Sequence, residues 1–131
     1  MSELKYVNIE AVAAVPEVPF SHAVSDGAYA FLAGQIASDT LDGAVKLGDI
    51  EDETRVVMEL LGGVLGRLGL DFSDVVRVNV YMTDLGQAAR MDAVYQSYFA
   101  NGRLPARTCV GVTGVLGAGQ IEIDCIARLR T

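Results

Sequence analysis

Between Asp52 and Leu68 the spacing of apolar residues switches from two to three and four, and that switch constrains the fold more than any other feature. Val57, Leu60, Leu61, Val64 and Leu68 share one stripe of a helix. Acids fill its first turn, and Gly69 suits its C-terminal stop. Gly62 and Gly63 each cost about 1 kcal/mol against alanine in such a helix, and glycine there is either simply tolerated or lets another backbone approach closely. On either side of this segment the period is two.

Residues 4–9, "LKYVNI", alternate apolar and polar and suit a short strand. Pro16 and Pro19 set residues 13–19 as a loop. Residues 20–35 flank Asp26-Gly27, a dipeptide that fits a tight hairpin turn, and residues 38–49 form a polar, glycine-punctuated loop. Strand chemistry returns in "FSDVVRVNVYMTD", with Val76, Val78 and Val80 expected on one face and Arg77, Asn79 and Tyr81 on the other. A second helix is predicted over 87–99, with Met91, Val94, Tyr95 and Tyr98 as its stripe. A strand entered through Pro105, the turn "TGVLGAG" and a final strand "QIEIDCIARLR" complete the order βββαβαββ. Two helices cover only one face of a mixed sheet, so residues 1–131 read as a single α+β domain of two layers.

That architecture leaves a sheet face to be hidden. Hydrophobic residues make up 51% of the chain, more than a 131-residue monomer of this class can bury, which points to a homo-oligomer. The net charge of −7 and the scattered basic residues argue against a nucleic-acid partner. No basic, apolar leader is present, nor a run near the roughly 20 residues that span a bilayer, so no membrane partner is expected. Cys109 and Cys125 both sit in strand patterns and read as free thiols of a cytoplasmic protein.

Common catalytic signatures are missing. "GVLGAG" lies between two strands, with no helix N-terminus to hold a phosphate, and one histidine and two separated cysteines do not make a metal site. His22 reads as an ordinary surface or loop histidine. Arg107 is the conspicuous residue. In "LPARTCVGV" it shares a face with Cys109 and Gly111, opposite Thr108, Val110 and Val112, and a guanidinium on a strand needs a negative partner. On the last strand Ile121, Ile123, Cys125, Ala127 and Leu129 share one face and Glu122, Asp124, Ile126 and Arg128 the other. A C-terminal hairpin would bring Glu122 or Asp124 near Arg107, as a cross-strand pair worth about 0.2–1 kcal/mol. A ligand carboxylate is the other possibility.

The stretch Pro105-Ala106-Arg107-Thr108-Cys109-Val110, followed by Ile121-Glu122-Ile123, resembles the C-terminal signature of the Rid family. These are the reactive-intermediate (enamine/imine) deaminases, also called L-PSP or translation-inhibitor-like proteins. "VPFSHAV", "LAGQI", "SDVVRVNVYMTDL" and "VYQSYF" match further family segments in order. The resemblance implies a fold like bacterial chorismate mutase, assembled as a homotrimer around a central barrel, with sites in clefts between subunits. It implies that Arg107 binds the carboxylate of a small 2-imino or 2-enamino acid and that Glu122 positions the attacking water. Cys109 would line the pocket through its backbone N–H, and Gly34 would bring backbone close to the substrate. The products would be a 2-keto acid and ammonia, with no metal or organic cofactor. Phe20 stands where the family usually has tyrosine, Ala33 where it has serine and Asp92 where asparagine is common. The first two remove hydroxyls from the substrate-binding cleft, which changes what it selects. Deamination of a larger enamine such as an aminomuconate, or non-catalytic carboxylate binding by a trimer, would fit the same signature. The ribonuclease role reported for some relatives fits the charge poorly.

Overall fold

The computed structural model describes residues 3–9, 19–39 and 47–130. Their elements follow the expected order: β1 (Lys5–Val7), β2 (Ala23–Ser25), β3 (Tyr29–Ile36), α1 (Ile50–Arg67), β4 (Val75–Met82), α2 (Ala88–Tyr95), β5 (Ala106–Gly111) and β6 (Ile121–Arg128). The loop expected over 13–19 falls almost wholly outside the described residues, as does the middle of the loop over 38–49.

Local chemistry sets the boundaries. Asp49 caps α1 by accepting from the backbone N–H of Glu51 at 2.9 Å and of Asp52 at 3.1 Å, so the helix starts at Ile50, ahead of the expected Asp52. At the other end Leu70 N–H bonds Leu65 C=O at 2.9 Å and Gly69 N–H bonds Gly66 C=O at 3.1 Å, around a Gly69 φ of +74°. This is a Schellman stop, and glycine supplies its left-handed residue without strain. Of the two readings of Gly62, close approach of a backbone is not what the structure has; the neighbour is a side chain, and a Cβ there would lie 3.2 Å from Phe72 Cε2. The β2–β3 hairpin turns at Asp26-Gly27 as expected, with Asp26 Oδ1 accepting from Ala28 and Tyr29 N–H at 2.9 and 2.8 Å. The second helix is shorter than expected, because residues 96–98 tighten into a 3₁₀ turn.

All six strands form one sheet in the order β1-β2-β3-β6-β4-β5. β6 lies antiparallel between β3 and β4, while β5 runs parallel to β4 at the end of the sheet. The expected C-terminal hairpin is therefore not formed. The segment after β5 crosses the end of β4, held there by Val112 N–H to Met82 C=O at 2.8 Å and Thr83 N–H to Gln120 C=O at 3.0 Å. Bulges interrupt the register twice, between Leu32 and Gln35 on β3 and between Val75 and Arg77 on β4. The second bulge overturns one expectation. The extra residue breaks the alternation, so Val75, Val78, Val80 and Met82 are buried while Val76 is exposed.

Both helices pack on one face. Ile121, Ile123, Cys125 and Ala127 of β6 meet Val57, Leu61, Val64 and Met91 there in a single core. Full burial of each large side chain is worth about 1.5–3 kcal/mol. No described element covers the other face, where Tyr29 and Phe31 of β3 and Val110 of β5 stay exposed. Those residues are the surplus apolar surface anticipated from composition.

Candidate functional site

Arg107 sits on edge strand β5 beside Val78 of β4, and so points to the helix-covered face. Its partner in the chain is Asp92 of α2, whose Oδ1 accepts from Nη1 at 2.6 Å; neither Glu122 nor Asp124 is near enough for the expected cross-strand pair. The guanidinium carbon also lies 4.9 Å from the centre of the Tyr95 ring, in cation–π geometry. Burial lowers the Arg107 pKa, but the hydrogen bond and charge of Asp92 outweigh it and hold the guanidinium above its ordinary value. A cavity of about 290 Å³ opens here, lined by Asp92, Tyr95, Gln96, Leu104, Pro105 and Arg107. Cys109 follows on the same face, half-buried, its thiol pushed up by burial despite the arginine beside it.

Glu122 lies elsewhere. It alternates with the core residues of β6 and so faces the open side, opposite Tyr81 of β4 and Ile36 of β3. It lines a smaller cavity of about 190 Å³ with Tyr81, Val112, Gly114, Val115 and Asp124. Asp124 is fully engaged, accepting from Asn79 Nδ2 at 2.9 Å and from the Tyr81 hydroxyl at 3.1 Å. Gly34 packs directly under Glu122: a Cβ there would come within 2.9 Å of the glutamate Cδ. Here the requirement for glycine is space, created where the β3 bulge brings backbone against the carboxylate. Phe20 is exposed and meets His22 edge-on, 6.3 Å between ring centres, while Ala33 N–H donates to His22 C=O at 2.9 Å.

The candidate residues thus fall into two groups. Gly34 and Glu122 belong to the open face, with Ala33 next to Gly34 in β3 and Phe20 on the segment that enters β2; Arg107 and Cys109 belong to the helix side of the β5 edge. Arg107 is level with Val78 and Glu122 with Tyr81, two strands over. At about 3.3 Å per residue and 4.8 Å per strand, that is roughly 14 Å between backbones, with the side chains on opposite faces. One copy of the chain does not bring the two together.

His22 lies in the bend before β2, as the loop reading expects, but is buried rather than at the surface, and its Nδ1 accepts from Ile9 N–H at 2.8 Å. Glu53 escaped the sequence reading altogether. It is fully buried on α1 and accepts from Gly48 N–H at 2.8 Å and Gln120 N–H at 2.7 Å, which ties the start of α1 to the start of β6. Its position inside an acidic first turn disguised it as a solvated helix charge. Asp92 and Tyr95, one turn apart on α2, carried a signal that went unused, since the two share the helix face that meets β5.

Residues 10–129 match the family model described as "Endoribonuclease L-PSP". Among curated proteins the chain is 39% identical over 112 residues to the RutC family protein PH0854 of Pyrococcus horikoshii, covering 86% of this chain and 88% of that one. It is 30% identical over 109 residues to the 2-iminobutanoate/2-iminopropanoate deaminase of mouse, covering 83% and 80%. Among solved structures, E. coli TdcF with bound serine superposes with a TM-score of 0.86 at 27% identity, covering 97% of this chain and 100% of TdcF. These relations show that the chain is a member of the Rid (endoribonuclease L-PSP) family.

Proposed function

We propose that the chain is a hydrolytic deaminase of small 2-imino acids, working as a homotrimer whose sites lie between copies. The observation that carries this reading is the separation of Arg107 and Glu122 onto opposite faces of one sheet. Each group can serve the other only across a contact between two chains. The uncovered apolar face and the terminal position of β5 supply surfaces for that contact. The deaminase name of the mouse relative and the serine bound to TdcF support a small amino-acid-derived ligand.

In this reading Arg107 of one copy grips the substrate carboxylate with its planar fork and keeps its charge throughout. Glu122 of the neighbour takes a proton from water as the water oxygen bonds to the imine carbon, and the C=N electron pair moves onto nitrogen. Glu122 returns that proton to nitrogen. A lone pair on the new hydroxyl oxygen then expels ammonia, the 2-keto acid forms, and the hydroxyl proton passes to solvent. A protonated imine is already a good electrophile, so positioning and one base supply the chemistry.

The test pairs assembly with turnover. Light scattering should give about three times 13.9 kDa, and a stable monomer at micromolar concentration would remove the intersubunit site. A semicarbazide-competition assay with 2-iminopropanoate and 2-iminobutanoate should show hydrolysis that Glu122→Gln abolishes while keto-acid binding survives. Arg107→Lys should lose at least about tenfold in kcat/KM, since one charged hydrogen bond is worth about 1.5–3 kcal/mol. A wild type that binds keto acids yet hydrolyses neither imine would establish the non-catalytic binder instead.

A further inference from the structure

From the pairing of Arg107 with Asp92 we infer that this site selects zwitterions: ligands that carry a cationic nitrogen beside their carboxylate. The inference rests on the proposed function and narrows its substrate. Among the described residues Arg107 and Asp92 are the ionic side chains lining the 290 Å³ cavity, so this copy brings to the site one positive and one negative group in contact. The 2.6 Å bond uses Arg107 Nη1 and Asp92 Oδ1. It leaves the Nε–Nη2 edge of the guanidinium for an incoming carboxylate, and Oδ2 of Asp92, a side chain 45% exposed, for an incoming N–H. A simple carboxylate placed on Arg107 must share it with Asp92 and is repelled by that second anion. A zwitterion of amino-acid size meets both charges with the complementary sign.

The consequence reaches the reaction. A 2-imino acid protonated on nitrogen is a zwitterion, whereas its 2-enamine tautomer is a plain monoanion. Asp92 therefore favours the tautomer whose carbon is electrophilic, and holds its N–H⁺ while water adds. An asparagine at this position keeps the Oδ1 acceptor for Arg107 but brings no charge to hold the cation.

Serine and pyruvate make the probe pair: similar in size, each with one carboxylate, only serine with a cationic nitrogen. Calorimetric titration of the intact wild-type protein should favour serine. Asp92→Asn should weaken serine about tenfold or more, the worth of one charge-assisted hydrogen bond, while pyruvate binding holds or strengthens. Thermal melting checks that the half-exposed substitution leaves the fold intact. Parallel changes for both ligands, or a wild type that prefers pyruvate, would overturn the zwitterion reading while leaving imine hydrolysis standing. If wild type binds neither ligand and hydrolyses no imine, both readings fail together.

Discussion

Replacing Gly34 with alanine should separate catalysis from stability in a way the structure makes quantitative. Gly34 has no positive φ, so alanine can take its backbone conformation without strain. The obstacle is the new methyl, which would overlap Glu122 Oε2 and sit 2.9 Å from Cδ and 3.0 Å from Cγ, against about 3.5–4.0 Å for an unstrained carbon contact. Glu122 is a half-buried side chain with rotatable bonds, so it can yield by roughly 1 Å where a rigid core side chain would be overpacked at about 1–3 kcal/mol. A misplacement of that size at a reacting group costs about 10²-fold in rate. Gly34→Ala should therefore lower kcat for imine hydrolysis about a hundredfold, shift Tm by only a few degrees, and leave keto-acid affinity at Arg107 nearly unchanged. Steady-state kinetics, melting and ligand titration on one preparation read all three. Wild-type kcat in this variant would refute the placement of Glu122 as the water-positioning group. A collapse of Tm with activity would show that the position is structural.

Two further outcomes follow from buried groups away from that contact. Burial pushes the Cys125 thiol up to about 12, with the Asp124 charge adding to the shift. Because the folded protein then holds this proton more tightly than the unfolded chain, the contribution is complete below about pH 9 and is lost as pH rises toward 12; Tm should fall from about pH 9 upward, and Cys125→Ala should flatten the first part of that fall. Glu53→Gln replaces a carboxylate that accepts two backbone N–H groups with an amide that has only one accepting oxygen, so chemical denaturation should show a loss of at least about 2 kcal/mol.

Element order and side-chain alternation were legible in the sequence wherever one face of a strand is buried. The sequence of β6 alone separates Ile121, Ile123 and Cys125 from Glu122 and Asp124, and the structure keeps that division. The reading failed where one inserted residue breaks the period: Val76 has the composition of a core valine, and only its bulge turns it outward. It also named Glu122 or Asp124 as the partner Arg107 would have within the chain where the structure has Asp92, because that depends on which strand lies next to β5. Pairing order is a property of the whole sheet, and a hydrophobic pattern within one strand carries no trace of its neighbours. The burial of His22 was not legible for a related reason. A polar ring is stable in a buried place when a distant backbone N–H, here that of Ile9, supplies its hydrogen bond.

The central place of β6 has a consequence for how the molecule is made. Two strands that flank it, β3 and β4, are synthesised before it, and neither pairs with the other in the finished sheet. Until residues 121–128 leave the ribosome, the nascent chain holds two half-sheets, β1-β2-β3 and β4-β5, each with one edge that its final neighbour has yet to fill. Helices α1 and α2 can form locally in that interval, but the core they cover lacks its middle layer of Ile121, Ile123 and Cys125. Closure of the sheet thus waits for β6. Any stall or truncation before Ile121 leaves two unpaired edges open to another nascent chain, making the interval before β6 emerges the one in which this protein is most exposed to aggregation.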